Sequence, residues 1–254
     1  MSTPRVALIS GASRGIGAAI ARELSAQGVS LALAARSRDA LDALATQLPN
    51  PALVLAADLS EPGAAAHAVE ATLAHYGRLD ILVNNAGATP RGDFLTFSDA
   101  DWDAGFALKF FGAVRLCRAA WPALIESKGC IVNIAGIGGR TGSAEFAIGG
   151  SVNAALLNLT KALADRGVRE GVRVNAINPS AIATERNQVR IDAIARERGI
   201  DQAQAAAELA RSLGVARFGE PAEVARVVAF LASNAASYMQ GAIVDVDGGQ
   251  TRTL

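Results

Sequence analysis

The stretch Ser10-Gly11-Ala12-Ser13-Arg14-Gly15-Ile16-Gly17 constrains this chain more than any other. An apolar run, Val6-Ala7-Leu8-Ile9, precedes it, and Ala18-Ala19-Ile20-Ala21-Arg22-Glu23-Leu24 follows with helical spacing. The order is a buried strand, a glycine turn and a helix. Glycines let a backbone close on a pyrophosphate, and a helix start aims unpaired N–H groups and its positive dipole end at an anion. The glycine spacing by itself also fits a tight turn with no ligand. Its place at the first strand-to-helix turn points to a nucleotide.

The rest of the chain keeps this alternation. Strands are predicted at 29–34, 52–56, 79–84, 130–134, 172–177 and 242–246, and helices at 39–48, 63–76, 99–127 and 143–169. Strands that read as continuous apolar runs between helices predict a doubly wound parallel α/β sheet of about seven strands, covered on both faces. No linker, repeat or low-complexity tract interrupts it, so a single domain over residues 1–254 is expected. The 24 basic and 24 acidic residues cancel, which gives no bulk charge for a nucleic acid or a membrane surface. The first strand starts almost at once and no apolar run is long enough to span a bilayer, so a soluble cytoplasmic protein is expected. Cys117 and Cys130 fall on different elements without metal spacing; they read as buried thiols, and no metal is expected.

Further motifs give the chain a family likeness. With the glycine turn, Asn84-Asn85-Ala86-Gly87, Val174-Asn175-Ala176-Ile177-Asn178-Pro179, Arg217-Phe218-Gly219-Glu220-Pro221 and Asp247-Gly248-Gly249 resemble the short-chain dehydrogenases/reductases over about residues 5–249. The resemblance implies a Rossmann fold that binds NAD(H) or NADP(H) at the carboxyl ends of the strands. It also implies a small-molecule substrate, assembly as a homotetramer or homodimer, and a substrate lid over about residues 184–216. Cofactor contacts are implied at Gly11, Ser13, Arg14, Gly15, Ile16 and Gly17, at Asp58 and Leu59, at Asn85, Ala86 and Gly87, and at Pro179, Ile182 and Thr184. Asp58 also reads as an ordinary capping or turn aspartate. Ser180 stands where the family usually has glycine. The end of the second strand carries Ala35 rather than an acid, followed by Arg36, with Arg14 in the glycine turn. Two guanidinium groups suit a 2′-phosphate, so NADP(H) is expected in preference to NAD(H).

The family's reaction normally uses an asparagine, a serine, a tyrosine and a lysine four residues after the tyrosine. Flanking motifs set the register here, and those positions hold Lys109, Gly136, Gly149 and Asn153. Neither tyrosine, Tyr76 or Tyr238, has a lysine four residues later. Asn153 can still hydrogen-bond a ribose hydroxyl, but it carries no charge to depress a neighbour's pKa. Gly149-Gly150 inside a predicted helix implies close packing or space for a ligand, with Phe146 placed to fill part of the missing ring's volume. Lys109 reads either as a lysine relocated toward the vacated volume or as a surface or salt-bridge residue. Ser143, Glu145 and Ser151, with Thr89 and Arg91, are the other polar groups expected at the mouth; with Lys109, Glu145 and Ser143 are the candidate catalytic groups, Glu145 as an acid only if burial raises its pKa. The arginines of 184–213 (Arg186, Arg190, Arg196 and Arg198) would favour an anionic substrate, but they are accompanied by Glu185, Asp192, Glu197 and Asp201, and the favoured reading is a solvated helical face. The functional expectation is an NADP(H)-dependent oxidoreductase on a carbonyl or alcohol, with an atypical site. The alternatives are a non-catalytic NADP(H)-binding protein and a lyase or epimerase that uses the nicotinamide transiently.

Overall fold

All five residues of β1 (Val6–Ser10) are buried, as a parallel strand covered on both faces requires. In the computed structural model, which describes residues 4–252, β1 leads through the glycine turn into α1 (Gly15–Ala26), then β2 (Ser30–Ala35), α2 (Arg38–Ala45), β3 (Ala52–Ala56), α3 (Ala64–Tyr76) and β4 (Ile81–Asn84). The second half holds α4 (Asp99–Phe106), a π-helical segment (Ala107–Phe111), α5 (Gly112–Ser127), β5 (Cys130–Ile134), α6 (Ala147–Glu170) and β6 (Arg173–Pro179). It ends with α7 (Glu185–Arg198), α8 (Gln202–Ser212), α9 (Pro221–Ala232) and β7 (Ile243–Val246). The strands form one parallel sheet in the order β3-β2-β1-β4-β5-β6-β7.

Side chains alternate across each strand, so β1 feeds two cores. Ala7 and Ile9 pack with Ile20 and Leu24 of α1 and with Val224 and Val228 of α9. Val6 and Leu8 pack on the other face with Val69 of α3 and with Leu116 and Leu124 of α5. Chain order reverses between β1 and β4, and the crevice at their carboxyl ends is where such sheets take ligands.

Tertiary contacts moved several predicted boundaries. The predicted helix 99–127 is broken by the π-helical segment, which adds a residue to the turn and re-aims the side chains within it. Gly112 ends that segment against the Leu59 carbonyl, 3.1 Å from where a Cβ would sit. The predicted helix 143–169 starts at Ala147 instead. Phe146 has φ −133° and ψ 34°, outside helical values, and Ala144–Phe146 form a 3-10 turn. β6 runs on to Pro179 because Asn178 and Pro179 still find partners in Asp245 and Val246 of β7. Residues 184–216, the expected lid, hold α7 and α8, joined through a small cluster of Ile191, Ala205 and Leu209.

One buried carboxylate aligns the entry ends of the central strands. Asp80, 4% exposed, accepts from Val6 N at 2.8 Å and from Arg78 at 2.6 and 2.9 Å. Its own N–H donates to Val6 O, and its carbonyl accepts from Cys130 N. Asp80→Ala leaves the Val6 N–H and Arg78 without their acceptor and is expected to cost about 2 kcal/mol in urea unfolding. Asp80→Asn, which keeps an acceptor for Val6, is expected to lose less.

Candidate functional site

The glycine turn and the exit of β4 are pressed together. A Cβ on Gly11 would lie 2.8 Å from Ala86 Cα, and one on Gly17 would lie 2.1 Å from the Gly11 carbonyl oxygen, so both positions need glycine. Gly11 also has φ +65°, a left-handed value that glycine adopts freely. Ser10 Oγ accepts from Asn85 N at 2.9 Å and Ala86 N at 3.0 Å, while Asn85 Nδ2 donates to the carbonyls of Ser10 and Gly11. The Asn85 side chain thus braces the turn. Arg14 is the N-cap of α1, and no side chain caps that helix. The first N–H groups of α1 are therefore available to an anion.

Further along the edge, Asp58 Oδ1 accepts from the Ser60 hydroxyl at 2.6 Å and the Ser60 N–H at 3.0 Å. Those bonds, with Arg36 nearby, hold the carboxyl below its usual range. Arg36 is exposed, and Leu59 is buried at 2% exposure. Arg14 pairs with Glu185 at the start of α7 at 2.8 Å, on the surface. The loop after β6 is pinned to Gly219, whose N–H donates to Ala181 O and whose carbonyl accepts from Ala183 N. The left-handed residue there is Ala181, with φ +44°, rather than Ser180. Ile182 is buried by this pinning, and Thr184 lies beside Gly15.

Lys109, Gly136, Gly149 and Asn153 converge near the ends of β4, β5 and β6. Buried amides hold this edge: Asn84 Nδ2 donates to Asn133 Oδ1 at 2.8 Å, and Asn133 Nδ2 donates to Thr160 Oγ1 at 2.9 Å on α6. Gly136 has φ +140°, and its N–H donates to Asn178 Oδ1. Asn153 is 3% exposed, and its Oδ1 is buried with no partner among the described residues. Its Nδ2 sits 3.0 Å from where a Cβ at 136 would project. Phe146 covers Gly149 so closely that a Cβ there would lie 2.1 Å from its ring. The Arg91 guanidinium stacks on that ring at 4.4 Å.

Lys109 lies in the π-helical segment, with its alkyl stem over Gly87, 2.8 Å from where a Cβ would be. Its Nζ donates to the Ala135 carbonyl at 2.5 Å, at the end of β5 beside Gly136. No ion pair among the described residues includes it. Solvent reaches part of the residue, but burial of the ammonium, with added repulsion from Arg186, lowers its pKa from 10.5 to about 7. Ser143 and Glu145 are exposed at the rim. Arg91, Phe94, Glu145 and Ala147 line an open cleft of about 790 Å³ there.

These residues fit a dinucleotide on three grounds: the uncapped start of α1, the glycine-only approach of the turn, and the unsatisfied Asn153 oxygen, which can accept from a ribose hydroxyl. The sequence had indicated these positions through motif spacing. It carried no sign of the Lys109–Ala135 bond, because a π-helical turn leaves no regular pattern.

A family model described as enoyl-(acyl carrier protein) reductase matches residues 11–251. The chain is 35% identical over 251 residues to a meso-2,3-butanediol dehydrogenase of Serratia marcescens, covering 97% of this chain and 94% of that protein. It is 35% identical over 247 residues to an acetoacetyl-CoA reductase of Shinella zoogloeoides, covering 97% and 98%. Among solved structures, L-sorbose reductase from Gluconobacter frateurii, in complex with NADPH and L-sorbose, superposes with a TM-score of 0.95. The two are 31% identical over 99% of this chain and 98% of that one.

The packing of Phe146 on Gly149 makes a direct prediction. Gly149→Ala is expected to destabilise the protein by ~1–3 kcal/mol despite alanine's better helix propensity. Phe146→Ala in the same chain is expected to remove most of that loss, a coupling that a double-mutant cycle of thermal unfolding measures.

Proposed function

The chain belongs to the short-chain dehydrogenase/reductase family, oxidoreductases of carbonyl and alcohol groups, and on that premise we propose that it is an NADP(H)-dependent member in which Lys109 supplies the proton at the substrate oxygen. The observation behind this reading is the buried Lys109 ammonium at the end of β5, bonded to Ala135 and paired with no carboxylate among the described residues. When bound, the nicotinamide cofactor gives or takes the hydride.

In reduction the carbonyl oxygen gains an electron pair and needs one proton. Lys109 gives that proton from Nζ, becomes the neutral amine and is reprotonated from solvent; in oxidation the same steps run backwards. A pKa of about 7 leaves both forms populated near neutrality, which suits a group that must donate and recover. The charged form also stabilises negative charge growing on the oxygen. The first turn of α1 would hold the pyrophosphate, Asn153 the nicotinamide ribose, and Arg36 with Arg14 the 2′-phosphate, Arg14 giving up its surface pair with Glu185 to do so. The L-sorbose reductase that this chain resembles was solved with NADPH, which supports this choice of cofactor.

One observation favours the silent, cofactor-binding alternative. Phe146 fills the volume in which the missing tyrosine would act. Turnover decides between them. NADPH oxidation with a panel of ketones and aldehydes is expected, and none with any carbonyl would leave only the binding role.

Thermal unfolding is expected to show stabilisation by NADPH well beyond that by NADH, about 2.7 kcal/mol at 100 times the dissociation constant. Arg36→Asp is expected to reverse the preference.

Lys109→Met is expected to lower turnover by ~10² or more while leaving the NADPH-induced shift in place. Reduction needs the ammonium, so its rate is expected to fall as pH rises through about 7, and oxidation to rise. The unfolded lysine stays charged up to its ordinary 10.5, whereas the folded one is neutral above about 7, so the free protein gains stability across that window. Lys109→Met should flatten both profiles; unchanged profiles would exclude Lys109 as the donor.

A further inference from the structure

Lys109 donates to a carbonyl that the sheet leaves open. Ala135 continues β5 by one residue, and its N–H donates to Ile177 O at 2.9 Å. The register places it opposite Asn178 of β6, one step beyond the pair Ile134 and Ile177. In a parallel ladder the carbonyl of such a residue accepts from the residue after its opposite number. Here that residue is Pro179, which has no N–H to give. The Ala135 carbonyl is therefore an unfilled rung at the floor of the site, and Lys109 Nζ takes it at 2.5 Å.

The same peptide group is engaged at its other end. The Gly136 N–H donates to Asn178 Oδ1 at 3.1 Å, and Asn178 Nδ2 donates to Asp245 Oδ1 of β7 at 2.9 Å. Asn178 and Asp245 are partners in the β6–β7 register, and Asn178 is fully buried. A carboxylate only accepts, so Asp245 turns the amide nitrogen toward itself and the amide oxygen toward Gly136. Arg140, in the loop after β5, pairs with Asp245 at 3.4 Å. A run of hydrogen bonds thus crosses three neighbouring strands, from a carboxylate on β7 to the Lys109 ammonium. That ammonium has no ion pair of its own among the described residues. Each bond polarises the next, so a peptide whose N–H is bonded offers a more negative carbonyl.

We propose that Asn178 and Asp245 are positioning residues for Lys109: through the Ala135–Gly136 peptide they fix the acceptor of its ammonium and strengthen it. No proton moves along the relay, and each group keeps its own. The relay holds Nζ at the end of β5 and favours the ammonium over the amine. Burial and the charge of Arg186 on α7 act on Lys109 in the opposite sense. The consequence for turnover rests on the reading of Lys109 as the proton donor; the effect on Lys109 itself does not.

The chain has three lysines, Lys109, Lys128 and Lys161, and the last two are exposed. NMR titration of the full-length protein, isotope-labelled at lysine Cε, therefore follows each one separately; the Lys109 signal is the one missing from Lys109→Met. Asn178→Leu cuts the relay and keeps the Asp245 charge. It is expected to lower the Lys109 titration midpoint by roughly half a pH unit or more, the scale of one hydrogen bond, with Lys128 and Lys161 unmoved. Asn178→Ala serves the same purpose where the leucine variant does not fold. The exchange of Asn178→Asp together with Asp245→Asn rebuilds the order of donors and acceptors. It is expected to return the midpoint to its wild-type value or above.

A Lys109 midpoint that both Asn178 variants leave in place would overturn the relay, even if their melting temperatures fall, because that is what a merely structural role produces. A drop on Asp245→Asn with none on Asn178→Leu would also overturn it, since it marks a charge acting through space. Carbonyl reduction followed by NADPH absorbance across pH then separates the relay from the donor. A turnover profile that moves with the Lys109 midpoint upholds both. A midpoint that moves while the profile stays upholds the relay and overturns Lys109 as the donor. A profile flattened by Lys109→Met, beside a midpoint that the relay variants leave alone, does the reverse.

Discussion

The close approach of two backbones, at the glycine turn and at the exit of β4, is the constraint on which the site depends. Ser10 Oγ takes two N–H groups from Asn85 and Ala86, and Asn85 returns its amide to the Ser10 and Gly11 carbonyls. Together these bonds close the crevice between β1 and β4 at the point where chain order reverses. They also place the uncapped start of α1 over the carboxyl edge of the sheet. A side chain at 11 or 17 would separate the two backbones. The rigidity continues sideways through Asn84, Asn133 and Thr160 into α6, so a chain of buried side-chain hydrogen bonds underlies the site.

Lys109, Gly136, Gly149 and Asn153 come together on that scaffold, and each has a physical counterpart nearby. Gly149 admits the Phe146 ring, and the ring in turn seats Arg91. Gly136 adopts φ +140° and donates to Asn178, while Asn153 keeps a buried oxygen free. Lys109 brings a cation to the floor from the π-helical segment, reaching across Gly87 to Ala135. An ammonium held there without a carboxylate is costly to keep charged, which is why its pKa falls into the range where proton transfer is reversible.

Charge is also sorted by the fold. In a chain balanced in total, Glu185 of α7 pairs with Arg14 and Arg198 with Glu208, while Arg186 and Arg190 enter no ion pair among the described residues. Net charge says nothing about which charges are paired; tertiary contacts decide it.

The sequence by itself determined the architecture. Val6–Ile9, Cys130–Ile134 and the other apolar runs can be buried only as strands covered on both faces, and the spacing of glycines between them specifies a turn open to a phosphate. It also holds no lysine four residues after either of its tyrosines, Tyr76 and Tyr238. The tertiary structure decided the rest. The π-helical segment aims Lys109 inward, Phe146 leaves helical geometry to cover Gly149, β6 lengthens because β7 offers it partners, and Glu185 and Glu208 take up Arg14 and Arg198 but not Arg186. Each of these depends on which residues distant in the chain come within a few ångströms of each other. Local periodicity carries no record of that, because propensity and pattern act within one element whereas burial and ion pairing act between them.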